Sequence, residues 1–381
     1  MVIGPTVEIG AISIKQHVQC THHLNPNTNQ MKKALSLVCA LTLLLSFTAT
    51  AQEEEAKSTL EISGSADIYY KYDFSGYVNT DGTSNIGTSF ADNQNSLSIG
   101  MLDVALSKSI GKVSFTGEFS FGPRSFKSIP TFQQTDGDDI NINIQNLYIS
   151  YALSDKISLT AGYMGTFVGY EVISPTGNFN YSTSYLFSFG PFQNAGLKMD
   201  FAPSDNFGIM VGIFNDWNVY QDFNGVSDIG AQVYWAPVSG WDIYLNFLSG
   251  SPSGTILDLT TGYQITDKFY LGLNAADYSA KNDAGGYSGA ALYPQYAFGD
   301  LFALGLRGEF FNIKEVTEGG VVTQPSESVF SSTLTGNFYV GPMTLSTEFR
   351  LDNTSSDVFV NKDLAATGSA SQVLVAAIFA F

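Results

Sequence analysis

Beyond residue 51 the chain contains neither cysteine nor histidine: Cys20, Cys39, His17, His22 and His23 all lie in the first fifty positions. That absence excludes disulfides, thiol nucleophiles, Cys/His metal sites and every histidine-dependent dyad or triad from the rest of the sequence. Charge is also scarce. Asp, Glu, Lys and Arg make up 14% of the 381 residues, where about 25% is usual. Such a chain is either short of water-facing surface or builds it from Ser, Thr, Asn and Gln, and a membrane protein does both. Yet no long apolar run occurs after position 50, which excludes a helical membrane protein. Basic residues are the scarcer sign, 17 against 35 acidic for a net charge of -18, so nucleic acid is not an expected partner.

The N-terminal region carries the main exception to this pattern. From Met31 the sequence reads MKKALSLVCALTLLLSFTATAQ, with Lys32 and Lys33 as a basic start, an apolar stretch from Ala34 to Phe47, and Ala49-Thr50-Ala51 as a small-residue cleavage site. This is the pattern of a secretory signal peptide over residues 31–51, and its apolar core is too short to span a bilayer. Cleavage is expected after Ala51. A lipoprotein signal at Cys39 fits poorly, because Leu41 to Leu45 still follow it and Val38 stands where a small residue is wanted. Residues 1–30 precede a complete signal with its own Met and are read as a mis-assigned upstream start, with translation expected to begin at Met31 and an extended leader as the alternative. Removing residues 1–51 takes out Glu8, Lys15, Lys32 and Lys33, which leaves 34 acidic and 14 basic residues and a net charge of -20. Residues 52–59, with Glu53-Glu54-Glu55, form a flexible acidic lead-in.

From Leu60 to Phe381 the dominant signal is period two. In Val113-Ser-Phe-Thr-Gly-Glu-Phe-Ser-Phe121, Trp241-Asp-Ile-Tyr-Leu-Asn-Phe247 and Met343-Thr-Leu-Ser-Thr-Glu-Phe-Arg-Leu351, apolar and polar residues alternate. Short alternating strands mean a sheet with one greasy and one wet face. Sixteen such segments, with a range of 14 to 18, begin near Leu60, Ser96, Lys112, Ile142, Lys156, Gln193, Asn206, Ser227, Trp241, Thr255, Lys268, Gly286, Asp300, Ser328, Met343 and Ser371. Their joins alternate between tight turns, such as Ser154-Asp-Lys156 and Gly341-Pro342, and long connections, such as 73–94, 123–140, 167–192 and 352–369. Short turns at one end and long loops at the other predict an all-β fold, a transmembrane antiparallel up-and-down barrel of the outer-membrane type. A soluble sandwich would need the polar row of Ser, Thr, Asn, Gly, Asp and Glu to fill a dry core. A solenoid would need loops of fixed length. The last strand ends on Phe381 with Phe379, Ala377, Val375 and Val373 on the same face. A terminal aromatic in that setting resembles the signal read by the outer-membrane barrel-assembly machinery, which makes Phe379 and Phe381 the candidate assembly signal.

The block Gly169-Tyr-Glu-Val-Ile-Ser-Pro-Thr-Gly-Asn-Phe-Asn-Tyr-Ser-Thr-Ser-Tyr-Leu-Phe187, followed by Gly190-Pro-Phe-Gln-Asn-Ala-Gly196, resembles the signature of the OmpL-like β-barrel porins of Bacteroidota and relatives. The likeness in layout covers most of the residues after the leader, and only this block is motif-like. It implies a Gram-negative outer-membrane porin, a channel-forming barrel among lipids, and says little about the solute.

Strand parity places acids and bases on the inner wall. The inward acids are Glu61, Asp67, Asp103, Glu118, Asp200, Asp228, Asp242, Asp258, Glu309 and Glu348, and the inward bases are Lys71, Lys198, Arg307 and Arg350. Glu118, Asp200, Lys198, Asp258, Arg307, Glu309, Glu348 and Arg350 are the candidate pore-lining set. Ten acids against four bases predict a mild cation preference, because a low-dielectric tube focuses the field of its wall; pairing of each acid with a neighbour is the plainer alternative reading. An anion channel would need a ladder of bases, and the only arginines beyond residue 51 are Arg124, Arg307 and Arg350. Passive diffusion of small hydrophilic solutes is the expected function. A saccharide-selective channel is an alternative, because Tyr69, Tyr148, Tyr234, Tyr244, Tyr270, Tyr293 and Tyr339 fall on inward rows and sugar rings stack on flat π faces.

The connection 167–192 is the longest. By analogy with sixteen-stranded general porins it folds inward, with Glu171, Asn178, Asn180 and Tyr181 as constriction candidates; a surface lid is the alternative. Asp136-Gly-Asp138-Asp139 lacks the spaced acids of a calcium loop and reads as a solvated tip. No cofactor is expected. An adhesin or receptor with a closed lumen would want larger loops than these. An enzyme would have to work with carboxylates alone, and outer-membrane lipase and protease chemistries need a histidine. A plugged 22-stranded transporter needs a longer chain. A homo-oligomer is left open.

Overall fold

The computed structural model describes residues 59–128 and 142–381. The expected leader over residues 31–51, the acidic run at 53–55 and the acidic tip at 136–139 lie outside the described residues.

Sixteen strands close into one antiparallel barrel in chain order, each hydrogen-bonded to the next and the last to the first. They are β1 (Glu61–Asp73), β2 (Ser96–Ile110), β3 (Val113–Phe121), β4 (Ile142–Ser154), β5 (Ile157–Gly165), β6 (Gln193–Ser204), β7 (Phe207–Phe214), β8 (Asp228–Trp235), β9 (Trp241–Gly250), β10 (Gly254–Gln264), β11 (Phe269–Ser279), β12 (Gly286–Ala297), β13 (Phe302–Lys314), β16 (Glu327–Val340), β17 (Met343–Thr354) and β20 (Ser369–Ala380). Two small hairpins, β14 (Val316–Glu318) with β15 (Val321–Gln324) and β18 (Phe359–Val360) with β19 (Ala366–Thr367), decorate the long connections. Every expected segment start lies within two residues of a barrel strand, and the seven even-to-odd joins expected to be tight fall at one end, while the three-residue join between β9 and β10 is a short one at the other. Gly111 and Gly341 take φ near 56° and 59° in two of those turns, a region that favours glycine. No described helix is long and apolar enough to cross a membrane.

Alternation along each strand divides the chemistry between two faces. In β17, Leu345, Phe349 and Leu351 are exposed on the outside, while Ser346, Glu348, Arg350 and Asp352 are buried on the inside. The outer row of the barrel is a belt of exposed Leu, Ile, Val and Phe, including Leu102, Leu147, Leu257, Leu306, Leu334 and Val375. An apolar surface of that extent belongs in hydrocarbon. Rings collect toward the turn end, where Trp241 lies 5.3 Å from Tyr263 and Phe302 lies 4.6 Å from Phe338. Such a girdle suits a membrane–water interface. Phe379 and Phe381 face outward there, 46% and 55% exposed.

The inner row departs from the expected uniform polarity. Leu374, Ala376 and Ile378 on β20, Met210 and Phe214 on β7, Leu248, Ile256 and Phe311 are all inward and buried. They are dry because polypeptide fills that part of the lumen, which strand parity alone does not reveal.

The two faces predict opposite tolerances. Leu334→Arg, midway along β16, is expected to cost about 2–4 kcal/mol of stability in lipid, whereas Ser158→Lys, inward and opposite Asp200, is expected to change it by under about 1 kcal/mol. Urea titration in vesicles followed by tryptophan fluorescence measures both, and equal costs would contradict the assignment of faces.

Candidate functional site

The connection between β5 and β6 runs through the barrel interior. Of residues 166–192 only Thr176 and Gly177 are exposed. Two local devices shape it. The Asn178 side chain bonds the backbone N–H and C=O of Val172, at 2.8 and 2.6 Å, and closes the turn around Pro175–Gly177. Ser184 caps the short helix Tyr185–Phe189, its hydroxyl accepting the Phe187 N–H at 2.9 Å, as N-cap serines do.

Peptide groups of residues 181–186 lie inside the barrel with no strand beside them, so side chains must satisfy them. Glu348 accepts the N–H groups of Tyr181 and Ser182 at 2.7 and 3.0 Å. Glu309 accepts those of Tyr185 and Leu186 at 2.9 and 2.7 Å. Those two groups open the helix, where a carboxylate is favoured. Glu171, from the segment itself, accepts the Ser184 N–H at 2.8 Å. The carbonyls are met by guanidinium groups: Arg124 donates to Tyr181 and Ile173, Arg307 to Ser182, and Arg350 to Thr183.

These charges also balance one another. Arg307 pairs with Glu171 at 2.8 Å, and Arg350 grips Asp352 through two bonds of 2.9 Å. The guanidinium of Arg124 lies over the rings of Phe90 and Tyr181, 4.8 Å from each. Further ties come from Asn180 to Thr335, from Asn337 to the Phe179 carbonyl and from the Gly169 N–H to Asp258. The Tyr181 hydroxyl donates to Asp67, and that of Tyr185 to Asp352 at 2.8 Å. Burial, above all, raises both phenols well above their ordinary range, so they remain proton donors.

Apolar contacts complete the seat. Phe187 and Phe192 pack with Phe90, which arrives from the connection between β1 and β2. Tyr185 and Phe189 pack on Phe311.

The sequence-derived candidates therefore divide. Glu171, Asn180 and Tyr181 meet Arg307, Glu309, Glu348, Arg350 and Asp258 in one buried network, the wall members 0–5% exposed. Asn178 bonds only within its own turn among the hydrogen bonds described. Lys198 and Asp200, paired at 3.3 Å, keep partial contact with solvent on β6. Glu118 is half-buried on β3 and accepts from Asn146. Arg124, Asp67 and Asp352 belong to the network and were not among the candidates. A signal for Arg124 existed: all three arginines beyond residue 51 converge on this one segment. Of the inward tyrosines, Tyr69 and Tyr293 are sealed, while Tyr148, Tyr234, Tyr244, Tyr270 and Tyr339 are partly open.

A closed sixteen-stranded barrel with an apolar belt outside and a connection folded into its lumen is a porin-type outer-membrane barrel. The chain belongs to the family described as "Putative beta-barrel porin-2, OmpL-like", whose model matches residues 59–381. Solved structures share the fold at low identity. OmpF of Salmonella typhi, in complex with daunomycin, has a TM-score of 0.55 and 12% identity over 85% of this chain and 98% of its own. The trimer form of OmpT from Vibrio cholerae has a TM-score of 0.54 and 10% identity, covering 85% and 99%. An anion-selective porin from Comamonas acidovorans has a TM-score of 0.52 and 12% identity, covering 85% and 100%. No curated protein matches the chain.

Glu309→Ala would leave the Tyr185 and Leu186 amides without their acceptor. An unpaired buried donor costs about 1–3 kcal/mol. Amide exchange across 183–190 is therefore expected to accelerate by roughly ten- to hundredfold, with Asp200→Ala as the variant that leaves it unchanged. Equal protection in both variants would show that Glu309 does not hold the segment.

Proposed function

We propose that this protein is a passive diffusion channel for small hydrophilic solutes whose conductance is limited by the segment 166–192. The observation that carries this reading is the seating of that segment inside the closed barrel, tied to the wall near the middle of β13 and β17 by Arg307, Glu309, Glu348 and Arg350. A lipid-facing barrel with a polar inner wall needs no energy source to pass solutes, and a fixed internal segment sets a size limit. Residues 31–51 would deliver the chain across the inner membrane as a cleaved leader. Phe379 and Phe381 would present the signal to the assembly machinery, and trimers among similar folds make a homo-oligomer a reasonable expectation.

A mild cation preference is part of the proposal. Ion pairing inside the network neutralises Arg307 and Arg350 but leaves Glu309 and Glu348 bound to neutral amides. Glu118, Asp242 and Glu61 also lie on the inner row, and Lys198 is offset by Asp200. The net sign of the wall therefore stays negative, and the field in a narrow low-dielectric tube follows it.

Planar-bilayer recording of the refolded protein tests both parts. Steps of current are expected, with potassium more permeant than chloride in a salt gradient. Removal of residues 172–188 is expected to raise the single-channel conductance, and the double variant Glu309→Ala/Glu348→Ala to raise it or make it fluctuate while the barrel stays intact. Unchanged conductance in both would place the limiting constriction elsewhere, and anion selectivity would overturn the charge argument.

A further inference from the structure

On the turn side of the seated segment, the inner wall carries a row of rings that the network does not use. Tyr234 on β8 and Tyr244 on β9 are register partners with centroids 5.0 Å apart. Tyr270 on β11 follows around the wall, and the hydroxyl of Tyr170, from the seated segment, lies 3.1 Å from its own. Phe179 continues the row over β13. Each of these five rings is partly open to solvent.

Three glycines make the rings lie along the wall instead of across the lumen. A Cβ at Gly262 would overlap the Tyr270 ring end, one at Gly272 the Tyr170 ring end, and one at Gly305 the Phe179 ring. Three inward strand positions on β10, β11 and β13 are thus cleared so that an aromatic side chain can rest against the backbone. The Tyr170 ring also stacks on Tyr293, with centroids 4.3 Å apart, and rings held along a wall while partly open to solvent offer surface to a stacking ligand.

The polar groups around the row are mostly neutral. Gln264 and Gln295 are the register partners of Tyr270 on its two sides. Asp242 is the acid of the row and accepts the Tyr234 hydroxyl at 2.7 Å. Partly open rings edged by amides and hydroxyls suit an uncharged ring that carries many hydroxyls, because its C–H face stacks while its O–H groups exchange hydrogen bonds. An anion gains nothing here, and a purely apolar ligand would leave the amides unpaired.

We propose that this row is a stacking platform for the pyranose rings of neutral oligosaccharides, placed at the turn-side entrance of the lumen. The proposal rests on the channel reading for its purpose, since it names the solute class that the channel would retain. Binding, however, can be measured without current.

Titration calorimetry of the full barrel in detergent with maltohexaose, cellohexaose and, as a ringless polyol, mannitol is the test. At least one hexasaccharide is expected to bind and mannitol not to. Tyr244→Ala and Tyr270→Ala are each expected to weaken binding about three- to tenfold, while Tyr244→Phe stays within about threefold of the parent. Gly262→Val, which lifts the Tyr270 ring from the wall, is expected to weaken binding as Tyr270→Ala does. Heat-modifiable migration on gels verifies that each variant remains a closed barrel. No binding of either hexasaccharide, equal binding of mannitol, or a Tyr244→Phe loss as large as that of Tyr244→Ala would each overturn the platform. Conductance without saccharide binding removes the platform and leaves the channel. Binding without conductance does the reverse.

Discussion

A peptide group buried away from water must find a hydrogen-bond partner, and this requirement shapes the lumen. Barrel strands meet it by pairing with each other. Residues 181–186 have no strand neighbour, so the wall meets it with ions. Glu348 and Glu309 take four amides, Arg124, Arg307 and Arg350 take the carbonyls, and Glu171 ties the segment back on itself. Charge-assisted bonds are stronger than neutral ones, which suits a segment that regular secondary structure does not hold in place. The same ions would be costly if left alone in a dry place. They are affordable because every guanidinium faces a carboxylate, a carbonyl or a ring, and every carboxylate faces a donor.

This arrangement explains how a chain with so few charges uses them. The outer row has no room for charge, since it faces hydrocarbon. On the inner row, charges gather where polypeptide crosses the lumen, and fewer stand where the wall meets water. Apolar inner residues follow the same logic from the other side: Phe311, Phe214, Leu374 and Ile378 are inward because Tyr185, Phe189, Phe167 and Tyr181 arrive to cover them. The half of the wall toward the short turns has a different character, with tyrosines laid on glycines and amides between them.

Much of this was legible in one dimension. The period-two pattern marked sixteen strands to within two residues, and the alternation of short and long joins assigned the two ends. The longest connection, rich in aromatics, was expected to fold inward, and Glu171, Asn180 and Tyr181 lie inside. What could not be read was the division of labour among inward charges. Glu309 on β13 and Asp200 on β6 look alike as acids on an inward row. One is sealed against two peptide N–H groups, and the other stands half-open beside Lys198. Nothing in the spacing of either residue carries that difference, because it depends on where a loop from another part of the chain crosses the lumen.

By itself, then, the sequence determined which residues face outward and which inward, since side-chain direction in a strand follows the backbone pleat and needs only the local pattern. It also determined that no histidine or cysteine chemistry is open to the chain beyond residue 51. The tertiary structure alone decided which inward residues touch water, which hold the crossing segment and which rings rest against glycines of the wall. Those properties arise from contacts between residues a hundred or more positions apart, such as Arg307 with Glu171 and Tyr170 with Tyr270, and a local pattern cannot specify contacts that exist only once the barrel has closed around its own connection.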